Sequence, residues 1–288
     1  MNLKTIFERP NPSFSFEIFP PKPTSPIDTV YNTLEQLSDL SPDYISVTFR
    51  AGSSVKDNMT AEVCGFIKQK LRTEPLAHLT CVGSTKEYID AILERLAELG
   101  VNNVLALRGD KREDLSDGSD FTYATDLIKY IKEKGNFNVV AACYPEMHTE
   151  AASFDEDIAH MKEKADLGVS HFITQLFFDN DKYYDFLDRC AKANIKTPIE
   201  VGIMPITSAK QLDKMANTCG AEIPKECLKM VEKYGDDPVA MRDAGIIYAT
   251  NQIMELVSNG IDGVHVYTMN NPYVARKIEL LTQSIFKR

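Results

Sequence analysis

Eight short apolar runs recur along the chain, with helical patterns between them. They occupy 15–19, 44–49, 76–81, 103–107, 138–144, 171–177, 199–204 and 263–267. Each is rich in β-branched or aromatic residues and bounded by polar residues or by Gly and Pro, as strands buried on both faces of a parallel sheet are. The intervening segments carry apolar residues three and four apart. In TKEYIDAILERLAELG (85–100), Ile89, Ile92, Leu93, Leu96 and Leu99 share one face, Thr85 caps the start and Gly100 stops the helix. Segment 208–220 repeats the plan with Ser208 and Gly220, and the stretch 208–259 is expected to hold two or three helices, punctuated by Pro224 and Pro238.

Eight βα units in succession predict an α/β fold of the (β/α)8 TIM-barrel type. The 288 residues suit one such barrel as a single catalytic domain over 1–288. A doubly wound open sheet is the rival. It would usually carry a glycine-rich loop after its first strand, and EIFPP at 17–21 is not one. No low-complexity linker divides the chain, and the polar stretch 110–120 is expected to be one long surface loop.

The chain has 32 basic and 42 acidic residues, a net charge of −10. That balance repels phosphate backbones, and no dense Lys/Arg run offsets it, so nucleic acid is not an expected partner. A small anionic ligand needs only local cations or backbone N–H groups. The N-terminus lacks the apolar run of a signal peptide, and no stretch approaches the ~18 apolar residues of a membrane span. A cytoplasmic protein without a membrane partner is expected, and so is a homo-oligomer. The cysteines at 64, 81, 143, 190, 219 and 227 form no CxxC pair and read as reduced, mostly buried thiols.

Active sites of such barrels lie at the carboxyl ends of the strands. Those ends carry Glu17, Thr48, His78 with Thr80, Arg108-Gly109-Asp110, Tyr144 with Glu146 and His148, Gln175, and Tyr267 with Asn270. Glu17 sits in SFSFEIFPP. A carboxyl among phenylalanines loses hydration, which raises its pKa and suits a general acid, although alternation equally allows an outward, solvated glutamate. Gly109 lets backbone approach a ligand and Arg108 can hold phosphate bidentately; an Arg–Asp turn pair is the alternative. His78 and His148 stand at no metal-motif spacing, so no metal is expected and hydrogen bonding to a cofactor or backbone is the better reading. Phe177 and Phe178 read as core. Asp157 and Lys164 would face solvent unless a ligand extends over their helix. The residues alone reach as far as an enzyme-like barrel that binds an anionic ligand.

Nine segments then resemble the methylenetetrahydrofolate reductase family in its short bacterial flavoprotein form. They are SFEIFPPK (15–22), YISVTFRAG (44–52), AHLTC (77–81), VLALRGD (104–110), YATDLI (123–128), AACYPEMH (141–148), ITQLFFD (173–179), GIMPI (202–206) and VHVYTMN (264–270). The resemblance implies a (β/α)8 barrel with FAD across its mouth. It carries the cofactor contacts to Thr48, Phe49, Ala51, His78, Arg108, Gly109, Asp110, Tyr123, Ala124, Tyr144, His148, Ala151, Asp157, His160 and Lys164, with Thr48 on the nicotinamide side. It implies ping-pong reduction of 5,10-methylenetetrahydrofolate to 5-methyltetrahydrofolate by NADH or NADPH, supplying methyl groups for methionine synthesis. Glu17 matches the family's general acid, and Asp110 an aspartate whose charge stabilises the cationic iminium. Gln175 matches a substrate-binding glutamine, with Gln211 and Tyr267 as further substrate contacts.

The chain also departs from that pattern. Phe49 and Arg50 stand where some relatives have tyrosine and glycine, and His160 and Met215 where asparagine-like and aromatic residues are expected. Asn271 stands where arginine often follows YTMN, with Arg276 as the candidate replacement for its charge. FMN in place of FAD and an electron donor other than NADH are the alternatives these changes leave. A proline-dehydrogenase-like flavin barrel and a non-catalytic ligand-binding barrel are the rival functions.

Overall fold

Parallel pairing of each strand with the next, and of the last with the first, closes one sheet into an eight-stranded barrel. The computed structural model describes residues 1–22, 24–49, 59–109 and 119–286, apart from the Ala216 side chain. The strands are β1 (Ser13–Ile18), β2 (Tyr44–Val47), β3 (Glu74–Thr80), β4 (Asn103–Leu107), β5 (Asn138–Cys143), β6 (Phe172–Thr174), β7 (Ile199–Ile203) and β8 (Gly263–Tyr267). β8 returns to β1 with Ser13 opposite Gly263 and Glu17 opposite Tyr267. All eight apolar runs are strands. The sixth is shorter than its run, so Gln175 and Phe177 stand beyond its end.

The outer layer comprises α1 (Asp28–Ser38), α2 (Met59–Phe66) with one wider turn to Leu71, α3 (Lys86–Glu98), α4 (Ala124–Glu133), α5 (Phe154–Asp166), α6 (Asn180–Lys192), α7 (Ala209–Cys219), α8 (Lys225–Tyr234), α9 (Pro238–Ser258) and α10 (Pro272–Thr282). Three helices thus fill the long stretch before β8. The Thr85 side chain accepts from Tyr88 N at the start of α3, and Ser208 Oγ accepts from Gln211 N at the start of α7. Gly100 and Gly220 follow those helices at φ +77° and +69°. Among the described residues, no helix is long and apolar enough to cross a membrane.

Most of the core lies between barrel and helices. Phe14, Phe16 and Ile18 of β1 pack there with Val30, Leu34 and Leu37 of α1, and Phe177 is fully buried in the same layer. A smaller cluster around Leu176, Phe178, Met204, Leu212 and Met215 backs the exits of β6 and β7. The barrel interior is a separate compartment. A 3-10 turn, Leu3–Glu8, closes its amino end: Leu3 and Ile6 pack against Leu76, Leu105, Val140 and Ile173, and Leu3 N donates to Asn103 Oδ1 at 3.1 Å. Each buried side chain contributes about 2 kcal/mol by area removed from water. Five cysteines are buried and Cys219 is half-buried, all as free thiols.

Candidate active site

Alternation along β1 divides its side chains cleanly. Phe14 and Phe16 point to the helices, and Ser13, Ser15 and Glu17 point into the barrel. The expectation that Glu17 lies among phenylalanines is therefore corrected: those rings are on the opposite face. Glu17 is nonetheless buried, and burial pushes its carboxyl above the ordinary range, with His78 pulling the other way. Its Oε2 lies 3.5 Å from His78 Nε2 and 3.7 Å from His265 Nε2. Burial lowers both imidazoles to about 4, so both are neutral near pH 7. His78 Nε2 is buried and has no hydrogen-bond partner among the described residues.

The second component is a cleft of about 440 Å³ outside the barrel wall, between the ends of β4 and β5 and the helices α4 and α5. It gathers nine of the cofactor positions: Arg108, Tyr123, Ala124, Tyr144, His148, Ala151, Asp157, His160 and Lys164. The expectation that Asp157 and Lys164 face solvent by default is overturned. Asp157 Oδ2 accepts from His148 N at 3.0 Å, and the part-buried Lys164 donates to Ala142 O at 3.1 Å. Burial raises Asp157 and lowers Lys164 from their ordinary ranges. The His148 ring meets Tyr144 edge-on at 4.6 Å, and its Nδ1 accepts from Glu150 N, which leaves the proton on Nε2. Arg108 makes a forked pair with Glu150, at 3.0 and 2.5 Å.

The other positions are spread around the mouth. Thr48 N donates to Ile18 O, and Phe49 packs against the outer core. Gly109 sits at φ +87°. Gln175 Oε1 accepts from Leu176 N at 2.9 Å. Gln211 Oε1 takes two hydrogen bonds from Thr207, and its buried Nε2 has no partner among the described residues. Tyr267 donates to Thr174 O at 2.6 Å. Ala51 and Asp110, with Arg50 and 111–118 of the expected surface loop, lie outside the described residues. Asn271 caps α10 by accepting from Val274 N, and Arg276 reaches back to Gln36 O on α1. Met215 is buried in the smaller cluster.

Sequence reasoning missed Glu150 in the cleft and Ser15, Glu200 and His265 inside the barrel. The period-two order Ser13, Ser15, Glu17 was the available signal for a polar interior.

The family profile described as Methylenetetrahydrofolate reductase matches residues 2–282. The chain is 35% identical over 256 residues to the 5,10-methylenetetrahydrofolate reductase of Pectobacterium carotovorum subsp. carotovorum, covering 89% of this chain and 85% of that protein. It is 33% identical to Methylenetetrahydrofolate reductase (NADH) 1 of Arabidopsis thaliana, covering 93% of this chain and 48% of the plant protein. A solved structure from Clostridium thermocellum, described as binding two copies of 5-methyl-5,6,7,8-tetrahydrofolic acid, shares the fold over 100% of both chains, with a TM-score of 0.67 at 15% identity.

Proposed function

The chain belongs to the methylenetetrahydrofolate reductase family, and from that premise we propose how its residues reduce 5,10-methylenetetrahydrofolate to 5-methyltetrahydrofolate, with Glu17 as the acid. The observation that carries this reading is a buried carboxyl at the barrel mouth, held above its ordinary pKa beside two neutral imidazoles.

The outer cleft fits a flavin dinucleotide. Arg108, Lys164 and His148 Nε2–H offer cationic or donating groups for phosphate and ribose oxygens, and Tyr123 and Tyr144 offer flat faces. The unpartnered His78 Nε2 lies toward the barrel mouth and can meet a polar ring edge. FAD fills such a cleft better than FMN, because the lining continues onto α5 well beyond the mouth. Bound there, the flavin supplies the two-electron relay between the nicotinamide and the folate. Glu17 holds a proton and delivers it to the folate's bridging nitrogen, which opens the imidazolidine ring and leaves an iminium to be reduced to the methyl group. Asp110 is assigned the stabilisation of that cation, and Gln175, Gln211 and Tyr267 the positioning of substrate. NADH is the proposed donor, in line with the plant relative's name. Work in the cytoplasm, a single catalytic domain and a homo-oligomer belong to the same reading. Exposed Ile247 and Met254 on α9, with Leu280 and Leu281 on α10, support the last.

Anaerobic half-reactions test this. Glu17→Gln should still show flavin absorbance bleached by NADH, while return of the absorbance with methylenetetrahydrofolate slows by about 10²–10⁴-fold. Equal rates in both proteins would remove Glu17 as the acid. A purified protein that shows no flavin band after adding FAD or FMN would sink the cofactor assignment.

A further inference from the structure

Below Glu17 the barrel interior holds a second carboxyl that the reaction does not use. Glu200 of β7 is fully buried, with no cation beside it among the described residues. Its Oε1 accepts from Ser13 Oγ at 2.7 Å and from Ser15 Oγ at 2.9 Å, and its Oε2 accepts from the Tyr44 hydroxyl. Burial raises the Glu200 carboxyl, and the three donors, two on one oxygen and one on the other, oppose that and suit a carboxylate. The Ser15 hydroxyl has Glu200 Oε1 at 2.9 Å and Val264 O at 3.4 Å as acceptors, and the nearer, charged one takes its proton, so the contact between Ser15 Oγ and His265 Nδ1, 2.6 Å, has the imidazole as donor. The proton of neutral His265 is then on Nδ1. Its Nε2 lone pair accepts from Ser46 Oγ at 3.1 Å and faces Glu17 Oε2 at 3.7 Å. The ring has little freedom to turn: it is fully buried, stacked on Tyr44 at 5.7 Å and edge-on to Tyr267 at 5.5 Å.

We propose that Glu200, Ser15 and His265 form a positioning relay that fixes His265 as the Nδ1–H tautomer and so keeps Glu17 in its protonated, proton-donating form. The proposal rests on the reading of Glu17 as the acid. An Nε2–H at the same place would stabilise the carboxylate, whereas a lone pair there disfavours it. The other titratable groups facing Glu17 are His78 from β3 and Tyr267 from β8. Those around His265 are Glu200, Tyr44, Tyr267, His78 and His171. Neutral His78 and protonated Tyr267 put no cation beside Glu17, and of the two imidazoles facing it His265 is the one with a hydrogen-bond partner on each ring nitrogen, whereas His78 Nε2 has none among the described residues.

The test uses the flavin-loaded protein labelled with ¹⁵N-histidine. Imidazole ¹⁵N–¹H spectra should show His265 as the Nδ1–H tautomer through neutral pH. In Glu200→Gln the Nε2–H tautomer should grow in. The alkaline fall-off of the folate half-reaction should then move to lower pH by about one unit, measured against the NADH half-reaction of the same variant. Ser15→Ala, which removes the middle link, should move both readouts in the same direction and serves if Glu200→Gln does not fold. An Nε2–H or imidazolium signal in the unmodified protein overturns the relay, and so does an unmoved fall-off in both variants. If Glu17→Gln keeps the alkaline fall-off, the acid reading fails, and the tautomer spectra decide the relay geometry independently.

Discussion

Gly202 decides whether Tyr267 can stand where it does. A Cβ at 202 would lie 2.4 Å from Thr174 O and 2.5 Å from the Tyr267 hydroxyl oxygen, two atoms that are hydrogen-bonded to each other. Gly202→Ala must therefore push the phenol off the carbonyl. The expected cost is about 1–3 kcal/mol, the range for a buried acceptor left unpaired. The proposed substrate contact of Tyr267 goes with it, so KM for the folate should rise more than kcat falls. A melting curve and steady-state kinetics check both, and unchanged KM would detach Tyr267 from substrate. The site was legible in the sequence where polar residues punctuate strand ends, as at Glu17, His78 and Tyr267. It was not legible at Glu200 and His265, which sit mid-strand between apolar neighbours. A strand buried on both faces gives no sign of which face is the barrel interior. The helix pattern alone put Asp157 and Lys164 in solvent for a related reason: it cannot show that a cleft runs along its inner edge.

At the scale of elements, α9 braces the loops that follow β6 and β7. Gln252 Nε2 donates to Phe177 O at 3.0 Å and the Tyr248 hydroxyl to Phe178 O at 2.6 Å, which fixes the segment just after Gln175. The close approach depends on Gly245, where a Cβ would fall 1.7 Å from Ile206 O. That neighbour is backbone, so the helix itself must move. Gly245→Ala should cost about 3 kcal/mol through overpacking, more than the small gain in helix propensity returns. Urea unfolding would show it as a lower midpoint, and an unchanged midpoint would mean that α9 shifts without resistance. The strands and the caps of α3 and α7 were readable because each rests on a local rule of period or capping. The 3-10 turn that closes the barrel floor was not. Leu3–Glu8 is too short to show a period, and its role is set by the opening it fills.

Across the whole molecule, three histidines are held neutral inside the barrel: His171 at about 3, and His78 and His265 at about 4, each lowered chiefly by burial. An unfolded histidine titrates near 6.5, so below that pH the unfolded chain binds protons that the folded chain refuses. Stability then rises with pH through the window from the folded to the unfolded value, and is lost as pH falls through 6.5. Glu17 and Glu200 act with the opposite sign, because their raised carboxyls take up protons first in the folded state. The acid response of the protein is therefore a sum, and one variant must isolate a single contributor. His171 is the choice: it is fully buried, it donates to or accepts from only Ser170 Oγ, and its Nε2 has no partner among the described residues. His171→Gln removes its titration and leaves Glu17, His265 and Glu200 in place. Between pH 7 and pH 5 the unmodified protein should lose about 2 kcal/mol more stability than the variant, since each unit below 6.5 is worth about 1.4 kcal/mol for one refused proton. Urea unfolding at the two pH values measures the difference. Parallel losses would mean that His171 takes up its proton inside the barrel, and an interior that accommodates that cation could not keep its neighbouring imidazole at 265 neutral by burial alone.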